Sequence, residues 1–513
     1  CAMVREYKGS YSGEHGDGLV RSEWIERVYG ARLAYAFAEL KSAFDPKGLM
    51  NPGKIVGPSK MDDRTLFRYK PGYTTLPVET GLDWSAHEVG DANRGRGFAA
   101  AVEMCNNNGH CRKFDAGTMC PSYRVTRNER DLTRGRANSL RLALSGQLGP
   151  DALVSDEMFR TMELCVSCKG CKRECPTGVD MASMKIEFLH QYHKRHRRSV
   201  IDMLVAHLPN YAPTMARVPW LTKLRERIPG LAFVMQIITG ISAKRSLPAW
   251  RQDYFQGQTE VPDGNDGPEV VLLADTFNTW FEPENLRAAV KVFVAANYQT
   301  IVAEAEEGEK PLCCGRTYLA TGMIDEARNE ARRLLKVVMP YVKKGVPIVG
   351  LEPSCILGLR DEYRSMLPGP DTDALAELAL TFEEFIVRER LADRFKPDLK
   401  ALSSRRVLVH GHCHQKAFDV MPAVVEVLNM IPGHSVENIE SGCCGMAGAF
   451  GYEAKHAAVS RQMAEASLLP AVREAPDDAI IVADGTSCRH QVKDGSDREA
   501  LHVARVLADA LDV

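Results

Sequence analysis

The stretch CVSCKGCKRECP, residues 165–176, carries four cysteines in the spacing C-x2-C-x2-C-x3-C and ends in a proline. This spacing is typical of 4Fe-4S sites, in which three thiolates bind one cluster and the fourth, before the proline, binds a neighbouring cluster. Zinc ribbons use separated C-x2-C pairs instead, and disulfides require no such spacing. The stretch therefore predicts one-electron chemistry at an iron-sulfur site rather than structural zinc.

A second cysteine run lies upstream and is incomplete. Cys105, Asn108 and Cys111 keep the register with asparagine in the middle, and Cys120 precedes a proline after a longer gap. If ligands cross between the two runs, each cluster takes cysteines from both. The first cluster would then be bound by Cys120, Cys165, Cys168 and Cys171, and the second by Cys105, Cys111 and Cys175.

The second cluster would lack a fourth thiolate. It is either a three-iron cluster or a four-iron cluster with an oxygen ligand from Asn108, Asp115 or water. Alternatively, the upstream run is vestigial and Cys175 binds the one cluster present. Arginines follow Cys120, and a cation beside a cluster favours the more negative reduced state. They are Arg124, Arg127, Arg134, Arg136 and Arg141.

The composition is that of a soluble globular protein. The 513 residues are 45% hydrophobic and 26% charged with a net charge of -2, which predicts about three domains and no general affinity for nucleic acid. Fifteen cysteines in short motifs suit a reducing compartment, so we expect a cytoplasmic protein. The longest uncharged run, residues 228–243, is interrupted by proline and glycines, so no membrane span is predicted. Because the chain begins at Cys1, we expect its true N-terminus to be missing.

The C-terminal half contains an internal repeat. Each copy reads strand, helix, CCG loop, helix, strand, and both end in a cysteine. The first copy comprises EVVLLADTFN (269–278), LCCG (312–315) and PIVGLEPSC (347–355), and the second RRVLVHGHCH (405–414), GCCG (442–445) and AIIVADGTSC (479–488). We therefore predict an α/β plus α fold, with two repeated α/β modules whose cysteines lie at the carboxyl ends of parallel strands.

The segment GEHGDG, residues 13–18, is rich in glycine but lacks the spacing of a phosphate loop. Its residues Glu14 and His15 form a candidate acid/base or metal-binding pair. Together with DPKGLMNPGKIV (45–56), the segment resembles the C-terminal end of FAD-linked oxidases of the vanillyl-alcohol oxidase type. That resemblance implies that Glu14 binds a divalent metal such as zinc, His15 takes the hydroxyl proton of the substrate, and Asn51 lies near FAD. The flavin-binding half is expected outside this sequence.

The CCG copies resemble the cysteine-rich domain of heterodisulfide reductases and glycolate oxidase iron-sulfur subunits. The resemblance implies a metal or cluster site in each copy, but the pattern is incomplete, since Phe277 replaces the leading cysteine of the first copy. Glu352 and Gly485 replace one cysteine of each closing pair. The candidate ligands are Cys313, Cys314 and Cys355 in the first copy, and Cys413, Cys443, Cys444 and Cys488 in the second. His412 and His414 flank Cys413 and are candidate additional ligands.

The whole arrangement resembles FAD- and iron-sulfur-dependent dehydrogenases of D-2-hydroxy acids. It implies oxidation of a small 2-hydroxy acid, D-2-hydroxyglutarate first and D-lactate or glycolate as alternatives, with electrons passed through 4Fe-4S clusters to a quinone or electron-carrier protein. The other alternative is a heterodisulfide-reductase-like electron-transfer or docking module. The basic stretch HKRHRR (193–198) allows peripheral membrane contact.

The same motifs predict the domain boundaries. They are an FAD-linked oxidase end at 1–57, a linker at 58–96, a mainly helical ferredoxin-like 4Fe-4S domain at 97–191, a helical connector at 192–260, and CCG modules at 268–365 and 404–513.

Overall fold

The structure is a computed structural model that describes residues 1–12, 14–18, 20–88, 95–115, 117–257, 267–306, 308–403 and 406–512. The predicted boundaries at residues 260, 404 and 513 and part of the predicted linker lie outside the described residues. The chain divides into two compact units, the described residues up to Thr74 and those from Thr75 onward.

The first unit is a small helical segment. Its helices are α1 (Ala2–Glu6), α2 (Ile25–Tyr29) and α3 (Ala31–Phe44). Asp45 ends α3 and accepts hydrogen bonds from the backbone N–H groups of Leu49 and Met50, both at 2.8 Å, which closes the following turn. None of the residues of α3 is buried within this unit.

In the second unit, helices joined by loops form the described part of residues 95–240, which contains no strand. They are α4 (Phe98–Glu103), α5 (Pro121–Thr126), α6 (Thr133–Leu144), α7 (Asp156–Glu163), α8 (Gly170–Glu174), α9 (Met181–His193), α10 (Val200–Ala206), α11 (Leu208–Arg217), α12 (Trp220–Arg227) and α13 (Leu231–Thr239). Side-chain caps start several of them: Ser155 caps α7, Asp180 caps α9, and Ser199 forms a capping box with Asp202 at α10.

A four-stranded parallel sheet with the order β2-β1-β3-β4 follows. Its strands are short and rich in Val, Ile and Leu, and the central ones are buried because helices cover both faces. The elements are β1 (Glu269–Leu273), α14 (Thr276–Trp280), α15 (Pro283–Ala295), β2 (Gln299–Val302), α16 (Arg316–Ala320), α17 (Ile324–Val342), β3 (Ile348–Gly350), α18 (Pro353–Leu359), α19 (Glu362–Met366), α20 (Pro370–Leu378), β4 (Ala379–Thr381) and α21 (Phe382–Leu391).

A second four-stranded parallel sheet has the order β6-β5-β7-β8. Its elements are β5 (Arg406–Val409), α22 (Cys413–Ala417), α23 (Met421–Asn429), β6 (Ser435–Asn438), α24 (Ala457–Glu465), α25 (Leu468–Glu474), β7 (Ile480–Val482), α26 (Thr486–Ser496), β8 (Ala500–Leu501) and α27 (Val503–Asp509). The two sheets share one strand order, with each third strand beside the first. The fold is therefore a helical part followed by two small parallel sheets.

Parallel connections bring the carboxyl ends of the strands of each sheet to one edge. Cys313 and Cys314 follow β2, and Cys355 lies in the helix after β3. In the second sheet Cys413 begins the helix after β5, the Cys443–Cys444 pair follows β6, and Cys488 lies in the helix after β7. Sheet topology thus gathers each cysteine set from three separate segments.

Candidate metal centre

Four buried cysteines form the first candidate cluster site. Cys120 precedes Pro121, the first residue of α5, and the other three come from the loop before α8 and its first turn. They are Cys120, Cys165, Cys168 and Cys171. Burial raises the pKa of the Cys168 and Cys171 thiols well above their ordinary value, and the neighbouring thiols raise both further. Four thiols forced together without water are the donor set that a 4Fe-4S cluster requires, because iron binding replaces the protons.

A buried arginine beside these cysteines supports the same assignment. Arg136 is 1% exposed, and its Nη1 lies 3.7 Å from Cys120 Sγ. Its other groups donate to Ser122 Oγ at 3.0 Å and to the Thr161 carbonyl at 3.1 Å. In the described chain no carboxylate forms an ion pair with it within 4.0 Å. A fully buried cation requires a nearby negative charge, which a thiolate-bound cluster supplies.

The second predicted cluster site is less complete in the structure. Cys105 and Cys111 are buried, and burial raises the pKa of Cys111 to about 11, with Cys120 and Cys105 adding to the shift. Cys175 is partly buried, and its Sγ lies 3.3 Å from Thr177 Oγ1. Asn108 Oδ1 accepts from the backbone N–H of His110 at 2.8 Å, so its oxygen serves the loop itself. The structure thus groups Cys105 and Cys111, while the ligand role of Cys175 stays a prediction.

The second sheet assembles the richest cysteine group. Cys488 Sγ lies 3.4 Å from Cys444 Sγ, and Cys413 and Cys443 pack together. A hydrogen bond with Cys443 lowers the pKa of Cys413 to about 6 although burial opposes this. The backbone N–H of Gly445 approaches Cys443 Sγ at 3.4 Å. Thiols that share protons in this way are poised to bind a metal or cluster as thiolates.

Sequence reasoning missed a histidine in this group. One ring nitrogen of His410 and the sulfur atoms of Cys444 and Cys488 lie within 4.8 Å of one another, and all three residues are buried. His412 and His414, the two histidines singled out from the sequence, serve the backbone instead. His412 caps α22, and His414 Nε2 contacts the carbonyl of Ser167 at 3.1 Å. His410 comes directly after β5, and this position could have marked it as a candidate ligand, because ligands in such sheets follow strand ends.

The first sheet assembles a smaller group of Cys313, Cys314 and Cys355, all buried. The hydrogen bond with Cys314 and burial raise the pKa of Cys313 well above its ordinary value. Glu352, at the position of a missing cysteine, is already engaged. Its carboxylate accepts from the backbone N–H of Thr486 at 2.9 Å and from Ser354 Oγ at 2.8 Å. This group therefore offers three thiols and no free carboxylate at Glu352.

The first cluster site and the second sheet meet directly. Cys168, Cys413 and Cys443 form one buried cluster, against which Val166 packs. Arg173 Nη1 donates to the carbonyl of Lys416 at 3.1 Å, and the Ser167 carbonyl contacts His414. The side chains of the two cysteine groups therefore pack directly against each other.

The candidate substrate residues lie in the first unit. Glu14 and His15 are exposed, and the carbonyl of His15 accepts a hydrogen bond from Arg21 Nη1 at 3.3 Å. Asn51 is exposed with a positive φ of 45°. Among the described residues, no group of three metal-ligating side chains includes Glu14. The structure therefore does not by itself assemble a substrate site around these residues.

Family models match three parts of the chain. Residues 1–55 match the C-terminal domain of FAD-linked oxidases, residues 101–179 a 4Fe-4S dicluster domain, and residues 407–493 the cysteine-rich domain. D-2-hydroxyglutarate dehydrogenase of Escherichia coli K12 is 28% identical over 96% of this chain and 50% of its own length. The resemblance inferred from the sequence is confirmed. The cofactors expected from it, FAD and 4Fe-4S clusters, agree with the matched domains.

Other relatives fit the same picture. The D-2-hydroxyglutarate dehydrogenase of Pseudomonas putida KT2440 is 27% identical over 99% of this chain and 52% of its own length. A probable glycolate oxidase iron-sulfur subunit of Bacillus subtilis 168 is 21% identical over 76% of this chain and 91% of its own length. The chain spans about half the length of the D-2-hydroxyglutarate dehydrogenases that it matches. No solved structure matches it.

Proposed function

We propose that this chain carries the electron-transfer part of an FAD- and iron-sulfur-dependent enzyme that oxidises D-2-hydroxyglutarate to 2-oxoglutarate. The observation that carries the proposal is the buried contact of Cys168 with Cys413 and Cys443, which joins a cluster-binding loop to a second cysteine centre. Bound 4Fe-4S clusters supply one-electron transfer, the form in which electrons from a reduced flavin reach a one-electron acceptor. The relatives and the matched domains support the flavin and the hydroxy-acid substrate.

The residues of this chain have distinct parts in the proposal. Cys120, Cys165, Cys168 and Cys171 hold the first cluster away from water, and Arg136 balances its charge. The second cluster is assigned to Cys105, Cys111 and Cys175. In the first unit, Glu14 would bind a divalent metal that orients the substrate, His15 would accept the hydroxyl proton, and Asn51 would lie near FAD.

We further propose that the two sheets belong to repeated CCG modules, the first built on residues 268–365 and extended by β4 (Ala379–Thr381), and the second on residues 404–513. Their common strand order and the matching CCG loops support this. The second module, with Cys413, Cys443, Cys444, Cys488 and His410, is the exit toward the acceptor, a quinone or an electron-carrier protein. The first module keeps Cys313, Cys314 and Cys355 as a smaller metal site.

Anaerobic spectroscopy tests the reaction. Adding D-2-hydroxyglutarate to the anaerobically purified holoenzyme should bleach both flavin and iron-sulfur absorbance. Bleaching with D-lactate or glycolate alone would reassign the substrate. No bleaching with any of the three would contradict a hydroxy-acid dehydrogenase.

Metal analysis tests the cluster ligands. In this chain, Cys165→Ser should lose iron and acid-labile sulfide, whereas Cys1→Ser, which changes an exposed cysteine outside every group, should keep both. Zinc without sulfide in the unsubstituted chain would favour a docking module instead.

A further inference from the structure

Helices α12 and α13 expose an apolar patch on the second unit. Phe233 is 59% exposed, Ile237 70% and Ile238 65%. We define the apolar patch as Trp220, Leu221, Ile228, Phe233, Val234, Ile237 and Ile238, all exposed. Helix α13, with the sequence LAFVMQIIT, has no charged residue and buries none of its side chains. Exposed apolar side chains gathered on two helices that contact each other mark an interaction site.

Specific hydrogen bonds hold these two helices in place. The guanidinium of Arg225, itself buried, donates to the carbonyl of Arg245 at 3.0 Å. The backbone N–H of Ala243 donates to Gln236 Oε1 at 2.8 Å, and that of Ser242 to the carbonyl of Tyr452 at 2.7 Å. The patch is thus fixed to the second sheet's domain through specific polar contacts, and its exposure does not result from loose packing.

Four exposed cations lie on α12 or in the chain beside α12 and α13. Arg217, Lys223, Arg227 and Lys244 are exposed, and none of them forms an ion pair with any residue that the structure describes. Between residues 217 and 245 the one acidic side chain is Glu226. The surface therefore combines an apolar face with an excess of positive charge.

We propose that the apolar patch docks this protein on an anionic lipid surface. Lipid headgroups supply the negative charge that the four cations lack, and the acyl boundary accepts the apolar side chains, with Trp220 at the interface. A second copy is disfavoured because a two-fold contact would bring the same cations of both copies together. Helix α13 is nine residues long, about 14 Å, and therefore lies along the surface rather than across the bilayer. None of the described helices has the length and hydropathy of a membrane span.

Docking through the patch would attach the second sheet's domain, which carries the second cysteine centre, to the bilayer, because the backbone N–H of Ser242, just beyond α13, donates to the carbonyl of Tyr452 in that domain. This deepens the proposed function by favouring a lipid-soluble acceptor. Vesicle binding is measured without substrate turnover. A chain that does not bind vesicles would therefore contradict the docking proposal but not the proposed oxidation of a hydroxy acid.

Vesicle flotation of the whole chain tests the proposal. The unsubstituted chain should float with phosphatidylcholine vesicles that contain phosphatidylglycerol, and much less with pure phosphatidylcholine. The triple substitution Phe233→Ser, Ile237→Ser, Ile238→Ser should abolish flotation. The double substitution Lys223→Glu, Arg227→Glu should weaken it at least tenfold, as should high salt. Leu391→Ser changes an apolar residue outside the patch that is more exposed, at 80%, than the three substituted residues, and this variant should bind normally.

Iron content and melting temperature of each variant check that it folds. If the unsubstituted chain does not float, or if both patch variants float as it does, the proposal is wrong. A concentration-dependent dimer that the triple substitution abolishes would assign the patch to a second copy instead. If Leu391→Ser lost as much vesicle flotation as the triple substitution, the binding would be non-specific adhesion, and this result would also contradict the docking proposal.

Discussion

Gly445 and Gly315 close the two CCG loops in the same way. Both have a positive φ, +81° and +79°, and in both loops the glycine N–H lies 3.4 Å from the sulfur of the first cysteine. A side chain at either position would meet strain from the left-handed backbone. At Gly445 it would also meet the neighbouring helix, because a Cβ would lie 2.4 Å from the Ser460 carbonyl. The backbone geometry of both loops therefore requires the glycine of the CCG motif.

Alanine substitutions should separate the cost of a side chain on a left-handed backbone from the cost of its contact with the neighbouring helix. Gly345 also has a positive φ, of +78°, but nothing lies within 4 Å of a Cβ there, so Gly345→Ala should cost about 1 kcal/mol of unfolding free energy. Gly315→Ala, whose Cβ would lie 3.0 Å from the Ala327 carbonyl, should cost more, and Gly445→Ala about 3 kcal/mol or above. Urea denaturation of the three variants measures the order. Equal losses would show that the helix contact is unimportant.

At the scale of elements, an ion-paired histidine joins α7 to the start of α24. His456 Nε2 lies 3.3 Å from Glu163 Oε1, and its Nδ1 lies 3.2 Å from Glu453 Oε2. Burial opposes the charged imidazolium, but bonds to the two carboxylates outweigh it and raise the pKa of His456 above its ordinary value despite nearby Lys455. The contact joins the 4Fe-4S part of the chain to the second sheet's domain.

This histidine predicts a pH dependence of stability. Because the folded pKa lies above the unfolded value of 6.5, its contribution is complete below pH 6.5 and is lost as pH rises through the folded pKa. His456→Gln should therefore lower the unfolding free energy more at pH 6 than at high pH, where the imidazole is neutral and the substitution removes only its packing against Phe450. Thermal melting across this range measures it. His434→Gln, at a histidine without an ion pair in the described chain, is the control, and an unchanged slope in His456→Gln would contradict the assignment.

For the whole molecule, a buried lysine ties the cluster loop to the first sheet's domain. Lys169 lies between Cys168 and Cys171 and is fully buried with a positive φ of 59°. Its Nζ is 2.7 Å from Glu362 Oε1 and also pairs with Asp361. Since the same loop contacts the second sheet's domain through Cys168, it is the junction of all three parts of this unit.

Removing this cation should be costly. Lys169→Met leaves two carboxylates with one fewer partner inside the protein, and we expect a loss of about 3 kcal/mol of unfolding free energy. Lys172→Met, at a partly exposed lysine that pairs with the same Asp361, should cost less than about 1 kcal/mol. Chemical denaturation of the iron-loaded chain compares them. Similar losses for both would show that Lys169 is not the main connection.

The sequence by itself determined the local features of this protein. The cysteine spacing, the strands after which Cys355, Cys413 and Cys488 occur, and the glycines of the CCG loops are all readable because each depends on neighbours within a few residues. Only the tertiary structure decided which groups face one another. The contact of Cys168 with Cys413 and the position of Arg136 beside Cys120 depend on how separate helices and sheets pack. Long-range burial and charge pairing leave no periodic signal in the chain, and for that reason they required the fold.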